Sequence, residues 1–175
     1  MTGKAANWIY GFNVIMTRND DKLIYDEDSN SIRQKKVSDI RNRMKIINAN
    51  PNSILISIHQ NHFSNPKYHG TQVFYSKNNS ESKVLAQSIQ DSVVKNIQKD
   101  NKREVKQTGT EIYLLYHAKN PAVMVECGFL SNTSELEKLK DEKYQMKMAF
   151  SIFSGIIKYI EYNDVSKTEV NINGC

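Results

Sequence analysis

The sequence is short of cysteine, of long apolar runs and of clustered positive charge, and each shortage excludes something. Its two cysteines, Cys127 and Cys175, are too few for a cysteine zinc cluster. One lies in an apolar run and the other in a polar C-terminal stretch, which argues against a disulfide between them. No apolar segment approaches the roughly 18 residues that suggest a membrane span, and residues 1–10 lack the apolar core of a signal peptide. Lysine and arginine outnumber aspartate and glutamate by 24 to 19, for a formal charge of +5. The basic residues are spread through the chain with no aromatic-interleaved cluster, so the footprint of a nucleic-acid binder is missing. No internal repeat, low-complexity tract or interdomain linker is present.

What remains is ordinary for a globular chain. A hydrophobic share of 39% over 175 residues is enough to bury a single core. The mild positive charge suits an anionic polymer or surface. Along the chain, residues 11–18 (GFNVIMTR) read as a strand closed by the Asn19-Asp20-Asp21 turn. Residues 32–48 read as a helix with an apolar stripe of irregular spacing through Ile32, Val37, Ile40, Met44, Ile46 and Ile47, and a solvated basic face carrying Arg33, Lys35, Lys36, Arg41, Arg43 and Lys45. Residues 53–58 (SILISI) and 70–75 (GTQVFY) are strands separated by a polar, cleft-rim loop. In residues 81–99, Leu85, Ile89, Val93 and Ile97 recur every fourth position, a strong helix signal. Residues 100–110 are charged and loop-like, and 111–116 (EIYLLY) form a strand or turn. Asn132 or Thr133 caps a short helix ending near Leu139, with Glu135 and Glu137 near its positive end. A last helix spans about 142–162, and residues 163–175 read as a frayed polar tail.

Strands alternating with helices predict an α/β fold with a mostly parallel sheet. The run PAVMVECGFLSN, residues 121–132, is the most informative. Its apolar part is too short for a helix and reads as a strand buried on both faces, leading directly into Glu126. Chemistry in such sheets gathers at the carboxyl ends of the strands. SILISI likewise leads into His59-Gln60-Asn61-His62, so two buried strands each deliver an ionisable side chain at equivalent ends.

Taken together, SIHQN (residues 57–61), GTQVFY and PAVMVECGFLSN resemble the zinc-dependent N-acetylmuramoyl-L-alanine amidases, nearest to those of spore-cortex maturation and germination. The resemblance runs from about Phe12 to Tyr159. It implies a three-layer α/β fold, a twisted and mostly parallel sheet with helices on both faces. It also implies Zn2+ as cofactor, His59 as a zinc ligand, Glu126 as the catalytic acid/base, and Asn61 as a substrate-binding or site-orienting residue, with an Asx turn as its structural alternative. The substrate implied is peptidoglycan, cut between N-acetylmuramic acid and the L-alanine of the stem peptide. An activating or anchoring protein partner, and a place outside the membrane in the wall or spore cortex, follow from the same resemblance.

Such amidases open with a strand ending in a D-x-G-H-G-G-like motif whose His is the first zinc ligand, followed by a ligating Glu and a helix. Residues 1–10 match none of this, so the first strand and helix of the family fold are expected to be missing. Residues 1–10 are then an atypical segment, 11–162 an N-terminally incomplete catalytic domain and 163–175 a tail. Two alternatives follow: the missing segment is supplied upstream, or the chain is a catalytically inactive wall-binding or regulatory remnant. His62, His69 and His117 read as loop or rim residues, and Cys127 as a buried apolar side chain.

Overall fold

The computed structural model describes residues 12–18 and 20–172, with side chains through residue 164. The chain divides into two compact units, residues 1–50 and 51–175.

In the first unit the strand expected over residues 11–18 is not formed where the chain is described. Residues 12–18 are irregular, and Val14, Ile15 and Met16 are exposed. A strand is made by hydrogen bonds to a neighbour, and an apolar run does not reveal whether it has one. Helix α1 spans Ile32–Asn48, as its periodicity predicts. A capping box starts it: Ser31 Oγ accepts from Gln34 N at 3.2 Å, and Gln34 Oε1 accepts from Ser31 N at 2.9 Å.

The buried face of α1 follows the expected stripe only in part: Met44 and Ile47 are buried and Ile40 is half-buried, but its N-terminal members are not. Ile32 and Val37 are exposed, whereas Ser38, Asp39, Met44 and Ile47 are buried. Arg43, expected on the solvated face, grips Asp39 through Nε at 2.8 Å and Nη2 at 3.2 Å. Ile24 N also donates to Asp39 Oδ1 at 2.8 Å. Burial by itself would raise the Asp39 pKa, but the bonds from Arg43 and Ile24 outweigh it and hold the carboxyl below the usual range. The loop before α1 is thus fastened by charge-assisted hydrogen bonds, which apolar periodicity cannot report.

The second unit is an α/β sheet structure. Its elements are β1 (Leu55–Asn61), β2 (Gln72–Tyr75), α2 (Glu81–Asn96), β3 (Lys106–Gln107), α3 (Tyr113–His117), β4 (Ala122–Phe129), α4 (Thr133–Lys140) and α5 (Glu142–Ile172). The sheet order is β1-β4-β2-β3. Pairs β1/β4 and β2/β3 are parallel, and β2/β4 is antiparallel, so the sheet is mixed but mostly parallel. Central β4 is buried at every position, as its continuous apolar run requires.

Side chains of β4 alternate between two cores. Val123, Val125 and Cys127 join Val73 and the stripe Leu85, Ile89 and Val93 of α2, together with Met148 and Ile152 of α5. Ala122 and Met124 face the other way, against Leu115 beside Leu55 and Phe74. Helices therefore cover both faces. On the first face α2 and α5 approach closely at Gly155, where an added Cβ would stand 2.5 Å from Ile89 Cα.

Residues 106–107, within a stretch read as loop, form the short strand β3 against β2, and three boundaries differ from expectation. Residues 111–116 supply a turn and the short helix α3, not a strand. Helix α5 continues to Ile172, beyond the predicted end near Tyr162; no proline or glycine interrupts residues 163–172, and extending an existing helix costs far less than starting one. Strands β1 and β4 run past His59 and Glu126 to Asn61 and Phe129, so both residues lie within strands.

Candidate active site

The register of the sheet sets the site. His59 on β1 is the direct partner of Glu126 on β4, and Gln72 on β2 is its direct partner on the other side. Directly paired residues project from the same face of a sheet. Gln72, Glu126 and His59 therefore form one row across three strands, on the face that carries Met124 and Phe74. The two side chains picked from separate motifs are brought together.

One residue further, the ladder slips. His59 pairs with Glu126, but Asn61 pairs with Phe129, so β4 spends three steps where β1 spends two. This bulge turns Phe129 back to the face that Glu126 occupies, since the partner positions His59 and Asn61 share a face. Asn61 is the last residue of β1, its carbonyl accepting from Leu130 N at 2.8 Å. Strand alternation puts its side chain on the face of His59. Tyr68 stands 6.2 Å from Phe129 and Phe63 stands 4.9 Å from Tyr68, ring to ring, an aromatic rim beyond the row.

Glu126 is only 9% exposed. Its Oε2 is buried and has no hydrogen-bond partner among the described residues. Burial raises its pKa above the ordinary carboxylate value, because the charged form loses its hydration without compensation. A carboxylate in that state is a stronger base and closer to a neutral pH midpoint than a solvated one, which suits proton transfer.

The other histidines stay apart. His62 and His69 are exposed, with His69 Nδ1 3.0 Å from Lys67 O. His117 stacks on Tyr113 at 4.3 Å in α3. Among the described residues no three His, Cys, Asp or Glu side chains come together as a metal-binding group.

Cys127 points away from Glu126 into the main core, 4% exposed. Burial, and after it the neighbouring Glu126 charge, push its thiol up to about 12, so it is not a thiolate nucleophile. Cys127→Val is expected to leave activity largely intact and to cost about 1–2 kcal/mol at most, read by denaturant titration. Loss of turnover in a folded Cys127→Ala chain would instead require a thiol-based reaction.

Three residues near the row were not singled out from the sequence. Arg103, in the stretch read as charged loop, donates through Nη1 to Gln72 Oε1 at 3.1 Å and through Nε to His69 O at 2.6 Å. Its guanidinium lies 4.7 Å from the Phe129 ring centroid. Gln72 completes the clasp by donating to Glu104 O at 3.0 Å. Glu135, expected only to favour the start of α4, has its carboxylate buried, accepting from Gly70 N at 2.9 Å and Phe129 N at 2.8 Å. Gly70 has φ +88°, the left-handed region that favours glycine. The alternation of GTQVFY puts Gln72 and Phe74 on one face, but only strand pairing shows that this is the face of Glu126.

A concavity of about 420 Å3 lies at the other end of the strands, lined by Pro51, Ser53, Pro121 and Tyr159 among others. It contains none of the row.

The family model described as N-acetylmuramoyl-L-alanine amidase matches residues 8–158. The germination-specific N-acetylmuramoyl-L-alanine amidase of Bacillus subtilis is 37% identical over 146 residues, covering 83% of this chain and 61% of that protein. This chain thus spans about three fifths of that relative's length. The CwlD amidase from Clostridioides difficile, solved in complex with the GerS lipoprotein, superposes with a TM-score of 0.79 at 43% identity, covering 85% of this chain and 75% of that one. An N-acetylmuramoyl-L-alanine amidase from Clostridium difficile 630 gives 0.63 at 30% identity, over 70% and 65% of the two chains.

Proposed function

We infer the activity of this chain from its family: it belongs to the N-acetylmuramoyl-L-alanine amidases, and the reaction proposed is hydrolysis of the amide between N-acetylmuramic acid and the L-alanine of the peptidoglycan stem. The observation that carries this reading is the cross-strand pair of His59 with a buried Glu126 whose Oε2 has no hydrogen-bond partner among the described residues.

Glu126 is proposed as the proton shuttle. Its carboxylate takes a proton from water as the water oxygen bonds to the carbonyl carbon. The same proton passes to the alanine nitrogen as the carbon–nitrogen bond breaks, and the departing amine leaves neutral. Asn61, on the face of His59, is proposed to hydrogen-bond substrate. The aromatic rim of Phe63, Tyr68 and Phe129 offers apolar faces beside the row.

Zinc is the cofactor that the resemblance implies, with His59 as one donor. The donors among the described residues do not complete such a centre: a catalytic zinc takes three protein ligands, and no three of them come together there. We therefore expect well under one zinc per chain after dialysis, by metal analysis, with cleavage recovering only when zinc is resupplied. Stoichiometric retention would mean that further ligands complete the site, and Asp20, Asp21, His62 and His69 would be the first to substitute.

Peptidoglycan is the proposed substrate, in the wall or spore cortex, and the lipoprotein bound by the Clostridioides difficile relative motivates proposing a protein partner here too. No helix among the described residues is long and apolar enough to cross a membrane. The test is to incubate purified cell walls with the chain in zinc-containing buffer and to measure new amino-terminal alanine. The amidase reading expects its release. A chain that pellets with walls and releases none is a binding or regulatory module.

A further inference from the structure

Arg103 is held more firmly than a loop arginine needs to be, and for no internal reason of charge. Two of its nitrogens are fixed by Gln72 Oε1 and His69 O, and its plane lies by the rings of Phe129 and Tyr68, at 4.7 and 5.6 Å from their centroids. The described ion pairs are Arg18–Asp21, Lys22–Asp20, Arg43–Asp39 and Lys140–Glu137, so among the described residues no carboxylate neutralises Arg103. Its Nη2 has no hydrogen bond among the described residues.

The register places this group relative to the chemistry. Gln72 is the immediate neighbour of Glu126 across the ladder, one strand spacing of about 4.8 Å away, and Arg103 reaches over from the outer side of Gln72. His59 flanks Glu126 on the opposite side. A peptide running from the scissile amide toward β2 advances at most about 3.6 Å per residue, so its first one or two residues come abreast of Arg103. A preoriented guanidinium at that distance matches a carboxylate, which it binds in a fork geometry that neutral amides do not match.

We propose that Arg103 receives the stem-peptide carboxylate nearest the scissile amide, making it a specificity-determining residue that favours acidic over amidated stems. The proposal rests on the amidase reading above.

The test is calorimetric binding of two soluble probes, N-acetylmuramoyl-L-alanyl-D-glutamate with its α-carboxylate free and the same compound with that group as an amide. Both are measured on chains carrying Glu126→Gln, so that neither is consumed. The free acid is expected to bind about tenfold or more tightly than the amide, as one charge-assisted bond supplies. Arg103→Gln should bind both alike, and Arg103→Lys should fall between. Equal binding by the parent, or a preference that survives in Arg103→Gln, overturns the proposal and leaves the amidase reading standing; Arg103 is then a clasp for the His69 loop. Binding of neither probe by the parent overturns the amidase reading and the proposal with it. If melting curves show that Arg103→Gln does not fold, the Arg103→Lys chain decides by the same comparison.

Discussion

Glu126→Gln is expected to lower wall hydrolysis by a factor of about 10² or more, the range that a positioned acid–base group supplies. The substitution keeps the shape of a side chain buried at 9% exposure and removes only its ability to accept and return a proton. The fold should survive, because among the described residues the carboxylate has no ion pair to lose and its Oε2 has no partner. Far-ultraviolet circular dichroism and the denaturation midpoint therefore check the protein, while new amino-terminal alanine checks the chemistry. Turnover equal to the parent's removes Glu126 from the mechanism. If the variant instead binds less zinc than the parent when metal is supplied, Glu126 is a ligand and the proton goes elsewhere.

Glu135→Ala is expected to be the most destabilising single change near the site. Its carboxylate accepts from Gly70 N and Phe129 N, both backbone groups next to the row, and Asn132 Oδ1 accepts from Glu135 N to cap α4 at 3.1 Å. Removing the carboxylate leaves two N–H groups without their acceptor, each costing about 1–3 kcal/mol when buried, so about 2–6 kcal/mol together. Space is tight as well, since a Cβ on Gly128 would stand 3.3 Å from the Glu135 carboxyl. Urea titration at constant m-value reads the loss. Glu135→Gln, which retains one acceptor oxygen, should lose roughly half as much. A change within about 0.5 kcal/mol, the level of ordinary surface substitutions, would mean that water replaces the carboxylate and that the clasp is not structural.

Both predictions depend on strand pairing in different ways. Glu126 stood out in the sequence because an apolar strand led into an acid, and the motif around it pointed to its role. Glu135 looked like a helix-start residue, which it also is, since nothing in a linear pattern shows that its carboxylate reaches two backbone groups as far apart as Gly70 and Phe129. Arg103 was hidden for the same reason. A basic residue in a polar loop is usually solvated, and the strand residue it clasps lies thirty-one positions away. For α1, apolar periodicity gave the helix its correct limits and the burial of Met44 and Ile47, but not that of Asp39, which pairs with Arg43.

The sequence by itself determined the family and the helix-and-strand order of residues 32–140 apart from the short strand β3 and the segment at 111–116, and it singled out His59 and Glu126. These are local properties: periodicity, capping residues and short motifs survive being read one position at a time. Only the tertiary structure decided that Glu126 lies between His59 and Gln72 in one row, that a bulge returns Phe129 to that face, and that residues 12–18 form no strand. Pairing and register are agreements between distant segments, set by which apolar faces can be buried together. A single segment carries half of each agreement, and the chain must fold before the halves meet.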